Sequence, residues 1–211
     1  MSIAREGYPL ILVPLLLGAL LLFLWPWAGA VVIGLGLFTA YFFRDPERVA
    51  PEDADLVVAP ADGKVVQLMP AQEPVLGAGT TQVSIFMSIF DVHVNRAPIA
   101  GRVAAVEYHP GKFLAAFNDK ASLLNEQTLV TLEDGPTRVM FKQIAGLIAR
   151  RVVFRKRVDD RVGRGERVGL IRFGSRVDVL LPPGATALVK VGDRVRGGSS
   201  VIARLAEAGA P

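Results

Sequence analysis

The sequence has no cysteine and only two histidines among its 211 residues. The first absence excludes a disulfide framework, a thiol nucleophile and a cysteine-ligated metal. The second restricts imidazole chemistry to His93 and His109, on different strand-like runs. A catalytic zinc would need both of them plus a carboxylate, and their spacing fits none of the usual ligand motifs, so no metal is expected. Arginines are scattered among the strand-like runs without an aromatic stacking motif, which argues against nucleic acid as a partner. Charge is missing altogether from one stretch of 34 residues, Leu10 to Phe43.

A membrane-spanning helix needs about 20 apolar residues, so that stretch exceeds a single span. Trp25-Pro26-Trp27 sits near its middle. Proline disfavours helix continuation, and tryptophan prefers the membrane–water interface. The pattern predicts two helices, Leu10–Leu24 and Ala28–Phe43, each roughly 23 Å long against a hydrocarbon core of about 30 Å. Residues 1–43 are therefore expected to form a membrane-associated helical hairpin, dipping into one leaflet or crossing obliquely, with both ends on the same side. The formal net charge is +4, and Arg5 cancels Glu6. Arg44, Arg48 and the basic remainder thus place residues 44–211 on the cytoplasmic face of the cell membrane. A cleavable signal peptide fits poorly, because the run is too long and lacks a small-x-small site.

After Phe-Phe-Arg-Asp-Pro-Glu-Arg the texture changes. Short alternating runs such as GKVVQLM, QVSIFMS, GRVAAVEY, QTLVTLE, TRVMFKQIAG and RVDVLLP recur between Gly, Pro and Asp clusters. That spacing reads as all-β, with one short helix near Phe117–Asn125. Two internal repeats stand out. Pro60-Ala-Asp-Gly63-Lys-Val65 is echoed by Pro98-Ile-Ala-Gly101-Arg-Val103, and Asp160-Arg-Val162 with Gly165 by Asp193-Arg-Val195 with Gly198. Such turns resemble those of lipoyl and biotinyl carrier domains, which implies a mostly β, barrel-sandwich-hybrid-like domain over 44–211.

The run Ile171 to Pro182 is interrupted by Gly174-Ser175. Taken alone, such a pair in a strand is ordinarily a bulge or tight turn. It also permits chemistry. A serine hydroxyl can attack the carbonyl of the preceding residue, and a glycine there has no Cβ to obstruct the approach. Asp62 in Pro-Ala-Asp-Gly is ordinarily a turn-former, and His93 in Asp-Val-His-Val-Asn-Arg is ordinarily a packed or solvated ring. Histidine is nonetheless the natural group for moving protons near neutral pH, and a carboxylate can orient it.

Taken in order, FFRDP (Phe42–Pro46), PADGKV (Pro60–Val65), FMSIFDVHVNRAP (Phe86–Pro98), HPGKF (His109–Phe113), DKAS with Asn125-Glu126, and FGS (Phe173–Ser175) resemble the phosphatidylserine decarboxylase proenzyme family in its short bacterial and archaeal form. The resemblance covers about residues 40 to 185. It implies autocatalytic cleavage between Gly174 and Ser175 into a β chain 1–174 and an α chain 175–211. Ser175 would become a covalent pyruvoyl cofactor, with Asp62 and His93 as catalytic carboxylate and imidazole. The pyruvoyl ketone would form a Schiff base with phosphatidylserine and act as the electron sink for loss of CO2, giving phosphatidylethanolamine. Arg44, Lys112 and Arg176 are candidates for the lipid phosphate, chosen for charge and neighbourhood. The implied partners are a phospholipid, the membrane and an α/β heterodimer from one chain, with a homo-oligomer left open. Longer members resemble H-x-x-H and LGST where this chain has His93-Val-Asn-Arg96 and FGSR, so His93 would work without a second histidine. The rival readings are a non-enzymatic membrane-anchored barrel-sandwich adaptor and a pyruvoyl decarboxylase of a soluble amino acid.

Overall fold

The computed structural model describes residues 2–114, 121–146, 152–172 and 175–206. It divides into two compact units, Met1–Glu47 and Arg48–Pro211.

The first unit is built on helices α1 (Tyr8–Leu24) and α2 (Pro26–Phe42). Trp25 alone separates them, and Pro26 takes the first position of α2, where its missing N–H is no loss. The ends of the pair are tied by two short antiparallel strands, β1 (Ser2–Ile3) and β2 (Arg44–Asp45). Glycines set the helix–helix distance. A Cβ on Gly18 would lie 2.7 Å from Ile33 Cγ1, and one on Gly29 would lie 2.6 Å from the Leu22 backbone nitrogen. Small residues thus let the two backbones approach. Counted with the single 3-10 turn before it, Arg5–Leu24 is long and apolar enough to cross a membrane; the second helix is apolar but shorter.

Apart from one helical turn, the regular elements described in the second unit are all strands. It opens with β3 (Leu56–Val58), β4 (Gly63–Pro70) and β5 (Thr81–Met87). It continues with β6 (Val94–Arg96), β7 (Gly101–His109), the single-turn helix α3 (Ala121–Leu124), β8 (Gln127–Asp134), β9 (Thr137–Ile144), β10 (Val152–Phe154), β11 (Arg161–Val162) and β12 (Arg167–Ile171). It ends with β13 (Ser175–Leu181), β14 (Thr186–Ala187), β15 (Arg194–Val195) and β16 (Val201–Arg204). An eight-stranded sheet runs β11-β7-β8-β9-β13-β5-β4-β15, and two three-stranded sheets run β10-β12-β6 and β14-β16-β3.

The sequence repeats are the two halves of this arrangement. Val195 pairs with Gly63 at one end of the large sheet, and Val162 pairs with Gly101 at the other. The Val65 N–H donates to Asp193 O as the Val103 N–H donates to Asp160 O, each at 2.9 Å. Both glycines have positive φ, +156° and +150°. A Cβ would sit 2.2 Å from Phe86 O at Gly63 and 2.3 Å from Glu133 O at Gly101, so each turn requires a residue without a side chain. In one half β8 and β9 are joined by a tight hairpin through Gly135. In the other, β5 and β13 pair side by side over seven residues, yet the whole β6–β12 half is inserted between them. Ser175 is the first residue of the strand on which the chain re-enters.

The core lies on the inward face of the large sheet. Val65, Val83, Ile85, Val130, Phe141, Val177 and Val179 are all fully buried there, each contributing roughly 1.5–3 kcal/mol through burial. Strand β13 is buried on both faces along its whole length, because Leu180 on the outward side packs with Leu129, Met140, Ala71 and Leu76.

Candidate active site

Backbone hydrogen bonds stitch together three segments that are far apart in sequence. The Arg96 N–H donates to Pro60 O at 2.8 Å, which fastens β6 to the Pro60–Gly63 turn. The Ile171 N–H donates to His93 O at 3.3 Å, which fastens the end of β12 beside the histidine. Four residues later, Ser175 pairs with Met87 on β5. The end of β12 in the small sheet is therefore held beside His93, and the described chain resumes on the large sheet at Ser175. Phe173 and Gly174, which complete the expected cleavage motif, lie outside the described residues.

Ser175 is wholly buried, and its Oγ has no hydrogen-bond partner. Alternation along β13 places its side chain on the inward face with Val177. Gln143 on β9 is opposite Val177 and so lies diagonal to Ser175 on that same face. The Gln143 Oε1 is likewise buried without a partner, while its Nε2 donates to Asn95 Oδ1 at 2.8 Å. Two unsatisfied polar oxygens at neighbouring inward positions are costly in an apolar core. Together they form a polar spot in which the Ser175 hydroxyl has an acceptor within its own layer of the sheet.

His93 is buried, with its Nδ1 3.0 Å from Asp91 O. A carbonyl only accepts, so Nδ1 carries the proton and Nε2 is the basic nitrogen of the neutral ring. Asp91 is itself fixed, its Oδ2 accepting from both the N–H and the Oγ of Ser88 at 2.8 Å. The ring is thus held by a turn that its own segment builds.

Asp62 accepts from the Gly197 N–H at 2.7 Å through Oδ1 and from Arg48 at 2.9 Å through Oδ2. The equivalent position in the repeat is Ala100. That turn closes with the same glycine geometry and no carboxylate, so the fold does not require an acid at this position. Arg96 lies three residues after His93. It is buried, and its guanidinium donates to Gly165 O at 2.9 Å. Glu166, next along, is bound to Lys156 and to the Gly163 N–H. Burial pushes its carboxyl upward, but those two contacts outweigh it and hold the group below its ordinary range.

The three candidate phosphate cations are in different settings. Arg176 faces outward, on the side of β13 opposite to Ser175, and is completely buried. Its Nε donates to Asp178 at 2.6 Å, and one terminal nitrogen reaches Ser84 Oγ at 2.7 Å and Gln67 Oε1. The other terminal nitrogen has no partner. Lys112 is exposed and bridges Asn125 through its backbone. Arg44 belongs to the first unit, where it stacks 3.9 Å from the Tyr41 ring.

Asn95, Gln143, Asp91 and Asp178 were not singled out by sequence. The usable signal was a polar residue at a core-facing position of an alternating run, as for Asn95 two residues after His93.

The family model described as phosphatidylserine decarboxylase matches residues 35–203. The chain is 51% identical over 206 residues to a phosphatidylserine decarboxylase proenzyme of Symbiobacterium thermophilum, covering 96% of this chain and 95% of the relative. It is 52% identical over 173 residues to one of Solibacter usitatus, covering 82% and 81%. It is also 46% identical over 211 residues to one of Nitratidesulfovibrio vulgaris, covering 99% and 97%.

Proposed function

The chain belongs to the phosphatidylserine decarboxylase family, and from that membership we propose that it cuts itself between Gly174 and Ser175 and then converts phosphatidylserine to phosphatidylethanolamine and CO2. The observation that carries the reading is the buried, unpartnered Ser175 Oγ at the start of the re-entering strand.

In the self-cleavage step the Ser175 hydroxyl attacks the carbonyl of residue 174. An O–C bond forms, the amide C–N bond breaks, and the nitrogen takes up a proton. Removal of the Ser175 α-proton then expels the residue 174 carboxylate and leaves dehydroalanine, which hydrolyses to a pyruvoyl group and ammonia. His93 Nε2, made basic by the Nδ1–H bond to Asp91 O, is the group that accepts and returns these protons. Asp62, fixed by Arg48 and Gly197, supplies the negative charge that favours the protonated ring. Once formed, the pyruvoyl ketone supplies the electron sink that decarboxylation requires. Gln143 and Asn95 hold the polar spot around position 175 at the margin of the apolar core.

The paired three-stranded sheets and the repeated turns support a barrel-sandwich-hybrid-like catalytic unit. The fragments 1–174 and 175–211 would stay together as an α/β heterodimer, because β13 is paired on both sides, with β5 and β9. The apolar helical hairpin would attach the enzyme to the cell membrane, with the basic catalytic unit on the cytoplasmic face. Lys112 and Arg44 are the proposed cations for the lipid phosphate; Arg176, buried against Asp178 without solvent access, serves the β13 network instead.

The test is turnover of carboxyl-labelled phosphatidylserine in mixed micelles by the wild type and Ser175→Ala, with free serine and free aspartate as controls. Labelled CO2 from the lipid alone, and none from the variant, is expected. Release from a free amino acid instead would move the enzyme to the soluble class, and undiminished release by the variant would defeat the mechanism.

A further inference from the structure

Membrane attachment, on which this inference rests, leaves the depth of the hairpin open, and three features of the first unit fix it. We propose that the hairpin crosses the whole hydrocarbon layer and returns, with its turn at Trp25–Trp27 seated in the headgroup layer opposite to the one its two ends occupy.

The first feature is backbone polarity at the turn. The last carbonyls of α1 and the first amides of α2 have no intrahelical partners. No side chain caps either end, since the shared cap residue is Trp25. Unsatisfied backbone groups are not tolerated in hydrocarbon. A turn that stopped at the bilayer midplane would leave them there, whereas a turn in the headgroup layer finds water.

The second is the spacing of aromatic residues. Tyr8 and Tyr41 are half exposed at the base, and Arg44 stacks on the Tyr41 ring. Trp25 and Trp27 are 67% and 81% exposed at the turn. Helix α1 carries the chain from one pair to the other over 17 residues, roughly 26 Å at 1.5 Å per residue. Tryptophan and tyrosine collect at both faces of a bilayer whose apolar core is about 30 Å thick. The two aromatic pairs are spaced as the two belts of one membrane.

The third is the surface between them. Leu16, Leu20, Val31, Leu35 and Leu37 point outward and are well exposed. Thr39, the only side-chain hydroxyl between Leu10 and Ala40, donates to Leu35 O within its own helix. A helix lying flat in the interface needs a polar face, and neither helix has one. Gly18, Gly29 and Gly36 meanwhile bring the helices together without polar side chains.

Trp25 and Trp27 are the only tryptophans, so intrinsic fluorescence reports on the turn alone. The full chain would be reconstituted in phosphatidylcholine vesicles, with the catalytic units shown to face outward by complete external trypsin digestion. Lipids brominated near the headgroup and at the chain end would be compared, with iodide added outside or enclosed within. The turn should lose roughly half or more of its emission to headgroup-proximal bromine and to enclosed iodide. It should lose little to chain-end bromine or to external iodide. Strongest quenching by chain-end bromine would place the turn at the midplane, and quenching by external iodide would place it on the near side. Either result overturns the crossing while leaving membrane attachment standing. Emission indifferent to every brominated lipid would overturn the attachment itself, and the crossing with it.

Discussion

Arg176 Nε donates to Asp178 Oδ1 at 2.6 Å, and solvent reaches neither side chain. The pair lies on the outward face of β13, beginning one residue past Ser175. The other Asp178 oxygen accepts from Ser122 Oγ on α3 at 2.6 Å, and Arg176 also reaches Ser84 and Gln67. Those three partners precede the expected cut, whereas Arg176 and Asp178 follow it. The network therefore ties the new terminus of the short fragment to the long one once the covalent link is gone.

Breaking one member of that network should be expensive. Asp178→Ala leaves a guanidinium buried without its counter-charge, an uncompensated loss of about 3–5 kcal/mol. Denaturant unfolding should show it as a lower midpoint at unchanged slope. The double variant Arg176→Met with Asp178→Leu should recover most of the loss. A single variant as stable as wild type would mean the pair contributes nothing to holding β13.

The two repeat glycines offer a matched comparison. Gly63→Ala and Gly101→Ala each push a Cβ into a carbonyl oxygen at an already strained φ, and each should cost more than about 2 kcal/mol. Only Gly63 neighbours Asp62. Self-cleavage, followed as the appearance of two bands, should therefore slow more in Gly63→Ala than in an equally destabilised Gly101→Ala. Equal slowing would assign the effect to stability alone.

The strands were legible because most have one buried face, which writes alternation into the chain. The repeats were legible because a turn that only glycine can make leaves glycine at a fixed offset. Pro26 announced the helix break, although both helices start two residues earlier than expected, at Tyr8 and Pro26, and the second ends at Phe42. The insertion of one half between β5 and β13 was not legible, since strand order is set by contacts remote in sequence. The charge of Arg176 pointed to the lipid phosphate, because alternation says which face a residue takes, not whether α3 and the Ala71–Leu76 loop cover that face. Of the short helix expected near Phe117–Asn125, Ala121–Leu124 is seen, and residues 115–120 lie outside the described residues.

Asp62→Asn keeps an acceptor for the Gly197 N–H but removes the charge. Since the repeat turn manages with Ala100, the melting temperature should change little. Loss of a group that assists proton transfer should slow self-cleavage by roughly 100-fold or more, read as persistence of the intact chain on a gel. Normal processing by the variant would remove Asp62 from the machinery.

Acid stability should depend on Glu166. Its folded-state carboxyl is held below the ordinary 4.5. The stability this contributes is complete above that value and is lost as pH falls through the lowered folded one. Thermal melts taken downward from neutral pH should show an acid limb that Glu166→Gln flattens. An unchanged limb would place the acid-sensitive contacts elsewhere. Glu133, on β8 and held low by Arg138 and Arg102, is the control: Glu133→Gln should leave the limb that Glu166 sets in place.

The most direct measurement is the intact mass of the purified wild-type protein under denaturing conditions. Two species meeting at 174/175 are expected, with the 175–211 fragment starting in a ketone where an amine would otherwise stand. A single uncut chain with an ordinary serine at position 175 and full activity on phosphatidylserine would contradict the assignment.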